Sequence, residues 1–313
     1  MSRILFILIT FFFPWNNIFC QDEVTRFDML VNPWILNPAK TGLYGNSLNF
    51  YGSRQWLGFD GAPSTFGFHI NGRAAPFEFY TNRMMVNKSS YKSRGRIGLG
   101  ASLMSDINGP FNYTELKLSY AYHIEFLKSR LSFGLANDFE LSGIHENKMY
   151  PLIPNDPGIL GVYRNKILFN PGIGVEYSIN SFDLGFAVNN LFKNSATIKD
   201  DDIQYFENHQ IYSINGSYTF IPKGIIDISP MINISTHEFD DLYYDISTSI
   251  TMKEDYKICL TYRSVKLFIL HARIDLRRLY IIYGFSNPVS SLTKYIYGSH
   301  EITVGYKFGQ YVY

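Results

Sequence analysis

Several pairs of neighbouring residues carry groups able to do chemistry. His145-Glu146 and His237-Glu238 each set an imidazole beside a carboxylate, a combination that serves general bases and metal sites. Ser299-His300 sets a hydroxyl beside a base, as nucleophilic catalysis would need. His237, Glu238, Asp240 and Asp241 offer clustered oxygen ligands that would suit calcium. Each has a plainer reading. The seven histidines stand at 69, 123, 145, 209, 237, 271 and 300, with no helical pair of zinc-binding spacing. Ser299 and His300 are adjacent, so on a strand they face opposite ways and form no dyad. The acidic run near 240 reads more simply as a solvated loop. No GxSxG elbow, P-loop or dinucleotide fingerprint is present, and the glycines at 95, 98 and 100 are spaced for the small-residue face of a strand. The expectation is a chain with no catalytic residue, no cofactor and no metal, and therefore not an enzyme.

The surroundings of these residues explain why. The chain has 313 residues and a net charge of +1, which gives no bulk attraction to nucleic acid. Charged residues make up 18%, against roughly a quarter in ordinary soluble domains, while aromatics reach 17% with 24 Tyr and 26 Phe. Met1-Ser2-Arg3 followed by an apolar run to Trp15 and then NNIFC has the form of a secretory signal peptide over 1–20, leaving Gln21 first. A lipidated Cys20 and a retained anchor are the alternatives. Removal of the signal leaves Cys259, within ICLTY, as the remaining cysteine, so no internal disulfide can form.

Beyond the leader the side-chain period is two. Leu116, Leu118, Tyr120 and Tyr122 alternate with Glu115, Lys117, Ser119 and Ala121, and Phe182, Leu184, Phe186 and Val188 alternate with Asp183, Gly185, Ala187 and Asn189. Fourteen candidate strands follow: 48–56, 65–73, 96–105, 111–125, 130–143, 171–180, 182–190, 209–221, 225–236, 241–251, 256–264, 266–275, 278–286 and 299–308. A secreted, lipid-embedded chain without apolar helices must close its sheet, so the predicted fold is all-β, a closed antiparallel transmembrane β-barrel over 47–313. Residues 21–46 are expected as a periplasmic N-terminal segment. Short turns (FLKS, NS, IPKG, KEDY, DLRR) fall at one end, expected to be periplasmic, and the long loops 144–170, 191–208 and 287–298 at the other, expected at the cell surface. The basic connection 74–94 is a long exception on the short-turn side. Polar inward positions such as Asp227, Ser229, Asn233 and Ser235 suit a water-filled lumen, yet fourteen strands favour a filled or narrow one.

Motifs carry the reading further. Asn32-Pro33 and the stretch LNPAKTG, with Asn37, Pro38, Ala39 and Gly42, precede the first strand. RQWLGFDGAPST follows it, with Arg54, Gln55, Trp56, Gly58, Gly61 and Pro63, and Ser299-His300-Glu301 opens the last strand. Together with Asp245 in YYDIS and Tyr262-Arg263, these resemble the PorP/SprF family of outer-membrane proteins of type IX secretion and gliding in Bacteroidota. Lys40-Thr41-Gly42 departs from the aromatic-Ala-Gly the family often has there. The resemblance implies a non-enzymatic outer-membrane component that supports export or surface attachment of adhesin-like cargo and contacts periplasmic lipoprotein or motor-ring components. The motif residues are then candidate partner contacts. A general porin and a secreted soluble β-domain that binds a ligand are the other readings.

Overall fold

The computed structural model describes residues 32–74, 96–144, 166–193, 195–198, 203–207, 209–220, 226–239, 241–253 and 255–309. The expected signal peptide, the basic connection 75–94 and most of the loop after residue 144 lie outside them. So do His145 and Glu146.

The strands are β1 (Ser47–Arg54), β2 (Ser64–Arg73), β3 (Ile97–Asn108), β4 (Phe111–Glu125), β5 (Ser129–Ile144), β6 (Lys166–Ile179), β7 (Phe182–Asn189), β8 (Ser195–Ile198), β9 (Ile203–Glu207), β10 (Ile211–Tyr218), β11 (Ile226–His237), β12 (Asp241–Met252), β13 (Tyr256–Arg263), β14 (Leu267–Leu276), β15 (Leu279–Pro288) and β16 (Ser299–Lys307). Fourteen of them form a closed antiparallel barrel in which each pairs with its chain neighbour and β16 returns to β1. The pair β8–β9 stands apart as a two-stranded sheet. It occupies the loop expected over 191–208. Its short strands were not legible there because they are four and five residues long, are separated by an acidic run and lack a long apolar run.

Alternation decides which face meets which environment. On β4, Leu116, Leu118 and Tyr120 are exposed while Glu115, Lys117, Ser119, Ala121 and His123 are buried. The same inversion holds on β5, where Phe133 and Leu135 point out and Ser132, Gly134, Ala136 and Asp138 point in. An apolar exterior around a polar interior is the arrangement that hydrocarbon outside and polar groups inside require. Among the described residues no helix is long and apolar enough to cross a membrane. Both chain ends of the barrel, Ser47 and Lys307, lie at one rim, paired with each other. The strands β4 and β5 run 15 and 16 residues, against 8 for β7. The wall is therefore taller on the β4–β5 side.

Candidate functional site: a plugged lumen and a motif-bearing rim

The residues before β1 do not lead up to the barrel from outside. Residues 32–42 are packed within it, and the expectation of a periplasmic segment over 21–46 is corrected for this part. The reason lies in the wall. Five inward positions on neighbouring strands are glycine: Gly98 and Gly100 on β3, Gly134 on β5, Gly174 on β6 and Gly185 on β7. A side chain at any of them would meet the wall's own groups or the segment. Cβ atoms at Gly98, Gly134 and Gly174 would overlap Thr41, Pro38-Ala39 and Asn37, and one at Gly100 would lie 3.1 Å from the Trp34 ring. The wall carries a trough, and the segment fills it.

The segment is shaped by its two Asn-Pro pairs. Pro33 opens the short helix α1 (Pro33–Leu36), and Pro38 opens a 3-10 turn (Pro38–Lys40). Proline suits a first helical position, where its missing N–H has no partner to lose. Asn37 closes one turn and caps the next. Its Oδ1 accepts from the Ala39 N–H at 3.0 Å, and its Nδ2 donates to Glu176 Oε2 at 3.1 Å and to the Val175 carbonyl at 3.3 Å. Gly42 then turns the chain toward β1 at φ 76°, where its N–H donates to Asn71 Oδ1 at 2.7 Å. A Cβ at Gly42 would come within 2.9 Å of both the Gly72 carbonyl and Gly98 Cα.

Charge buried in the lumen is paired, as its desolvation cost demands. Lys117, 2% exposed, sits 3.0 Å from Asp138 Oδ2 and donates to the Ile35 carbonyl at 3.2 Å. Lys40 donates to Asn215 Oδ1 at 2.6 Å and lies 3.4 Å from Glu176 Oε1. Asn32 and Asn49 exchange hydrogen bonds, and Asn49 also donates to the Tyr280 hydroxyl at 2.9 Å. Asn189 donates to the Leu36 carbonyl at 2.9 Å, and the Thr41 hydroxyl meets Ser119 Oγ at 2.6 Å. His123 bridges Ser132 Oγ at 2.9 Å and the Thr41 carbonyl, also at 2.9 Å. The segment thus touches β1 and β2 at its ends, β3 to β7 along its length, and β10 through Lys40. Trp34, 1% exposed, is its apolar anchor.

The later motif residues gather at the opposite rim. Gln55 donates its backbone N–H to the Pro63 carbonyl at 2.9 Å, closing the loop between β1 and β2. Trp56, at φ 46°, donates its N–H to Ser299 Oγ at 3.1 Å. Leu57 exchanges backbone bonds with the far end of the chain, donating to Gly298 at 2.8 Å and accepting from Tyr297 at 2.7 Å. Gly58, at φ 98°, lets the Tyr297 ring approach, since a Cβ there would lie 2.8 Å from it. Gly61, at φ 75°, makes the reversal in open space, and Pro63 returns the chain to β2. Arg54 stands directly across from His300. His300 faces outward, where the Tyr283 hydroxyl donates to Nδ1 at 2.7 Å and Nε2–H donates to the Tyr297 carbonyl at 3.2 Å. Ser299 and Glu301 face inward, and Glu301 bonds His271 and accepts from the Tyr51 hydroxyl at 3.3 Å. Ser299 and His300 therefore lie on opposite faces.

The motifs thus divide between two places. Asn32, Pro33, Asn37, Pro38, Ala39 and Gly42 belong to the plug. Arg54, Gln55, Trp56, Gly58, Gly61, Pro63 and His300 belong to the rim beside the closure seam, and Glu301 lies just inside it. Sequence reasoning missed the glycine trough. Its signal was present in the inward parity shared by the glycines at 98, 100, 134, 174 and 185, five empty positions that an interior has to fill. Of the calcium candidates, Asp240 lies outside the described residues, and Glu238 is engaged elsewhere. Glu238 accepts from Lys193 at 2.6 Å and faces His209 at 3.4 Å, and the Lys193 ammonium chiefly holds its carboxyl below the usual carboxylate range. Among the described residues no cluster of His, Cys, Asp and Glu is arranged to hold a metal.

A closed fourteen-strand barrel with an apolar outside and a polar, plugged inside is a membrane barrel of the outer-membrane type. The chain resembles the CymD monoaromatic hydrocarbon channel with a TM-score of 0.53 at 10% identity, over 94% of this chain and 95% of that one. It also matches the toluene transporter TodX of P. putida with a TM-score of 0.47 at 10% identity, over 88% and 93% of the two chains. At this identity the likeness to CymD is one of fold. No curated protein matches the sequence. The family model "Type IX secretion system membrane protein PorP/SprF" matches residues 19–306, and the chain belongs to that family. It is thus a membrane component of the secretion machinery, and neither its family nor its fold is that of an enzyme class.

Proposed function

We propose that this barrel is a scaffold of type IX secretion and gliding rather than a conduit: it supports export or surface attachment of adhesin-like cargo, and the cargo does not pass through it. The observation that carries this reading is the plug, which occupies the lumen between β1 and β7 with buried, hydrogen-bonded side chains. Family membership supports the link to secretion. In this reading the motif-bearing rim and the long loops face the cell surface, where cargo is held. The rim bearing Ser47 and Lys307, with the connection 74–94, faces periplasmic lipoprotein or motor-ring components.

A passive-pore reading has its own support. Asp227, Ser229, Asn233 and Ser235 point into the lumen from β11 and are only half-buried. Planar-bilayer recording on the purified full-length barrel separates the two. Scaffold function predicts little or no steady conductance, together with cross-links from the 190–193 loop to secreted protein and from the opposite rim to periplasmic components. Large stable conductance and no captured secretion component would promote the pore.

A further inference from the structure

We propose that the outer wall at the closure seam holds a phosphate-bearing membrane lipid, with its phosphate on Arg54 and an acyl chain in the notch left by Gly52. Two outward rows of side chains cross the seam. The upper row reads Ser64, Arg54, His300, Phe285 across β2, β1, β16 and β15, and the row below reads Phe66, Gly52, Ile302, Tyr283. The lower row is apolar and exposed on either side of the glycine, with Phe66 63% exposed. The upper row is where polar groups replace it, so it marks the level at which hydrocarbon gives way to headgroups.

Arg54 is exposed on this outward face. A guanidinium at headgroup depth is matched in charge and in fork geometry to a phosphate ester. Its neighbours are suited to flank such a ligand. The Ser64 hydroxyl stands on one side. On the other, His300 has both ring nitrogens engaged, by the Tyr283 hydroxyl and the Tyr297 carbonyl, and so forms a fixed wall rather than a ligand. Directly below Arg54, Gly52 leaves a gap bounded by Phe66 and Ile302, with Phe50, also exposed, on the same face beneath. A Cβ at Gly52 would lie 3.7 Å from the Phe66 ring, an ordinary contact. The position has room for a side chain and presents none. A charged group above an apolar slot is complementary to a phospholipid or a phosphorylated glycolipid.

The test is native mass spectrometry of the full chain in detergent, titrated with dipalmitoylphosphatidylglycerol and, separately, with the diacylglycerol of the same acyl chains. The expected result is one retained phosphatidylglycerol and about tenfold weaker retention of diacylglycerol, the size of effect that loss of charge-assisted hydrogen bonds produces. Arg54→Gln should lower phosphatidylglycerol retention about tenfold, to the diacylglycerol level. Gly52→Leu should weaken both lipids, because it fills the slot, and Lys294→Gln in the rim loop should change neither. Inorganic phosphate at the same concentration should not displace the lipid. If Arg54→Gln loses the folded, heat-modifiable gel form, Arg54→Lys and Gly52→Leu decide. Equal retention of the two lipids by the natural chain, undiminished phosphatidylglycerol retention in folded Arg54→Gln or Gly52→Leu, or displacement by inorganic phosphate would each overturn the proposal. So would an acidic protein found on Arg54 in place of lipid.

Discussion

Asn37→Ala should release the plug. The side chain makes three hydrogen bonds: from Nδ2 to Glu176 at 3.1 Å, from Nδ2 to the Val175 carbonyl at 3.3 Å, and at Oδ1 from the Ala39 N–H at 3.0 Å. Neutral bonds contribute about 0.5–1.5 kcal/mol each and one to a carboxylate about 1.5–3 kcal/mol, so their joint loss costs about 3 kcal/mol or more. The loss falls on the plugged state alone, because a displaced segment has water as its partner. A cost of about 3 kcal/mol raises the ratio of unplugged to plugged barrels roughly a hundredfold. Two readouts follow that ratio. Single-channel recording should show the open fraction rising by that factor. Acrylamide quenching of Trp34 fluorescence, in a Trp56→Phe chain produced from Gln21 onward so that Trp15 is absent, should rise with it, because Trp34 is 1% exposed in the plugged barrel. A barrel that stays folded with Asn37→Ala, yet shows the same conductance and the same quenching as its parent, would refute the account of how the lumen is closed.

Gly134→Ala should act on the same equilibrium by a steric route, since its Cβ would overlap backbone atoms of Pro38 and Ala39, and it should open the channel without touching a hydrogen bond. Leu118→Arg or Phe186→Arg should cost about 2–4 kcal/mol where the site lies near the bilayer midplane, read from reversible unfolding in lipid vesicles. Gly58→Ala should cost about 1–3 kcal/mol through its positive φ and the Tyr297 ring, and limited proteolysis should find the 289–298 loop newly open. The Lys193–Glu238 pair should tie two rim loops together at neutral pH. The folded carboxyl is depressed, so the tie is present above the ordinary carboxylate pKa and is lost as pH falls through the folded value. The hydrogen-exchange protection factor at residues 190–193, taken against the intrinsic rate at each pH, should fall as the medium becomes more acid than that range, and Lys193→Met should abolish the change.

Barrel, strand positions and lipid-facing surface were all legible in the sequence for one reason. A half-lipid, half-lumen strand writes its environment into alternate residues, so Leu116 and Lys117 need no long-range contact to declare their faces. The wall could be read from local pattern because each strand pairs with its chain neighbour, and β8–β9 escaped because its strands are too short to show a period. The motifs at both ends of the chain were legible as residues, but their meeting was not: Arg54 and His300 face each other only because β16 closes on β1. The plug depended on tertiary structure altogether. Nothing local distinguishes NPWILNPAKTG as a lumen element from a peripheral lead-in. The distinction is made by glycines about 60 to 150 residues away, whose missing side chains form a trough only after β3 to β7 have come side by side. Alternation is a property of one strand, whereas the volume of a lumen belongs to the closed sheet, and only the closed sheet could decide that this one is filled.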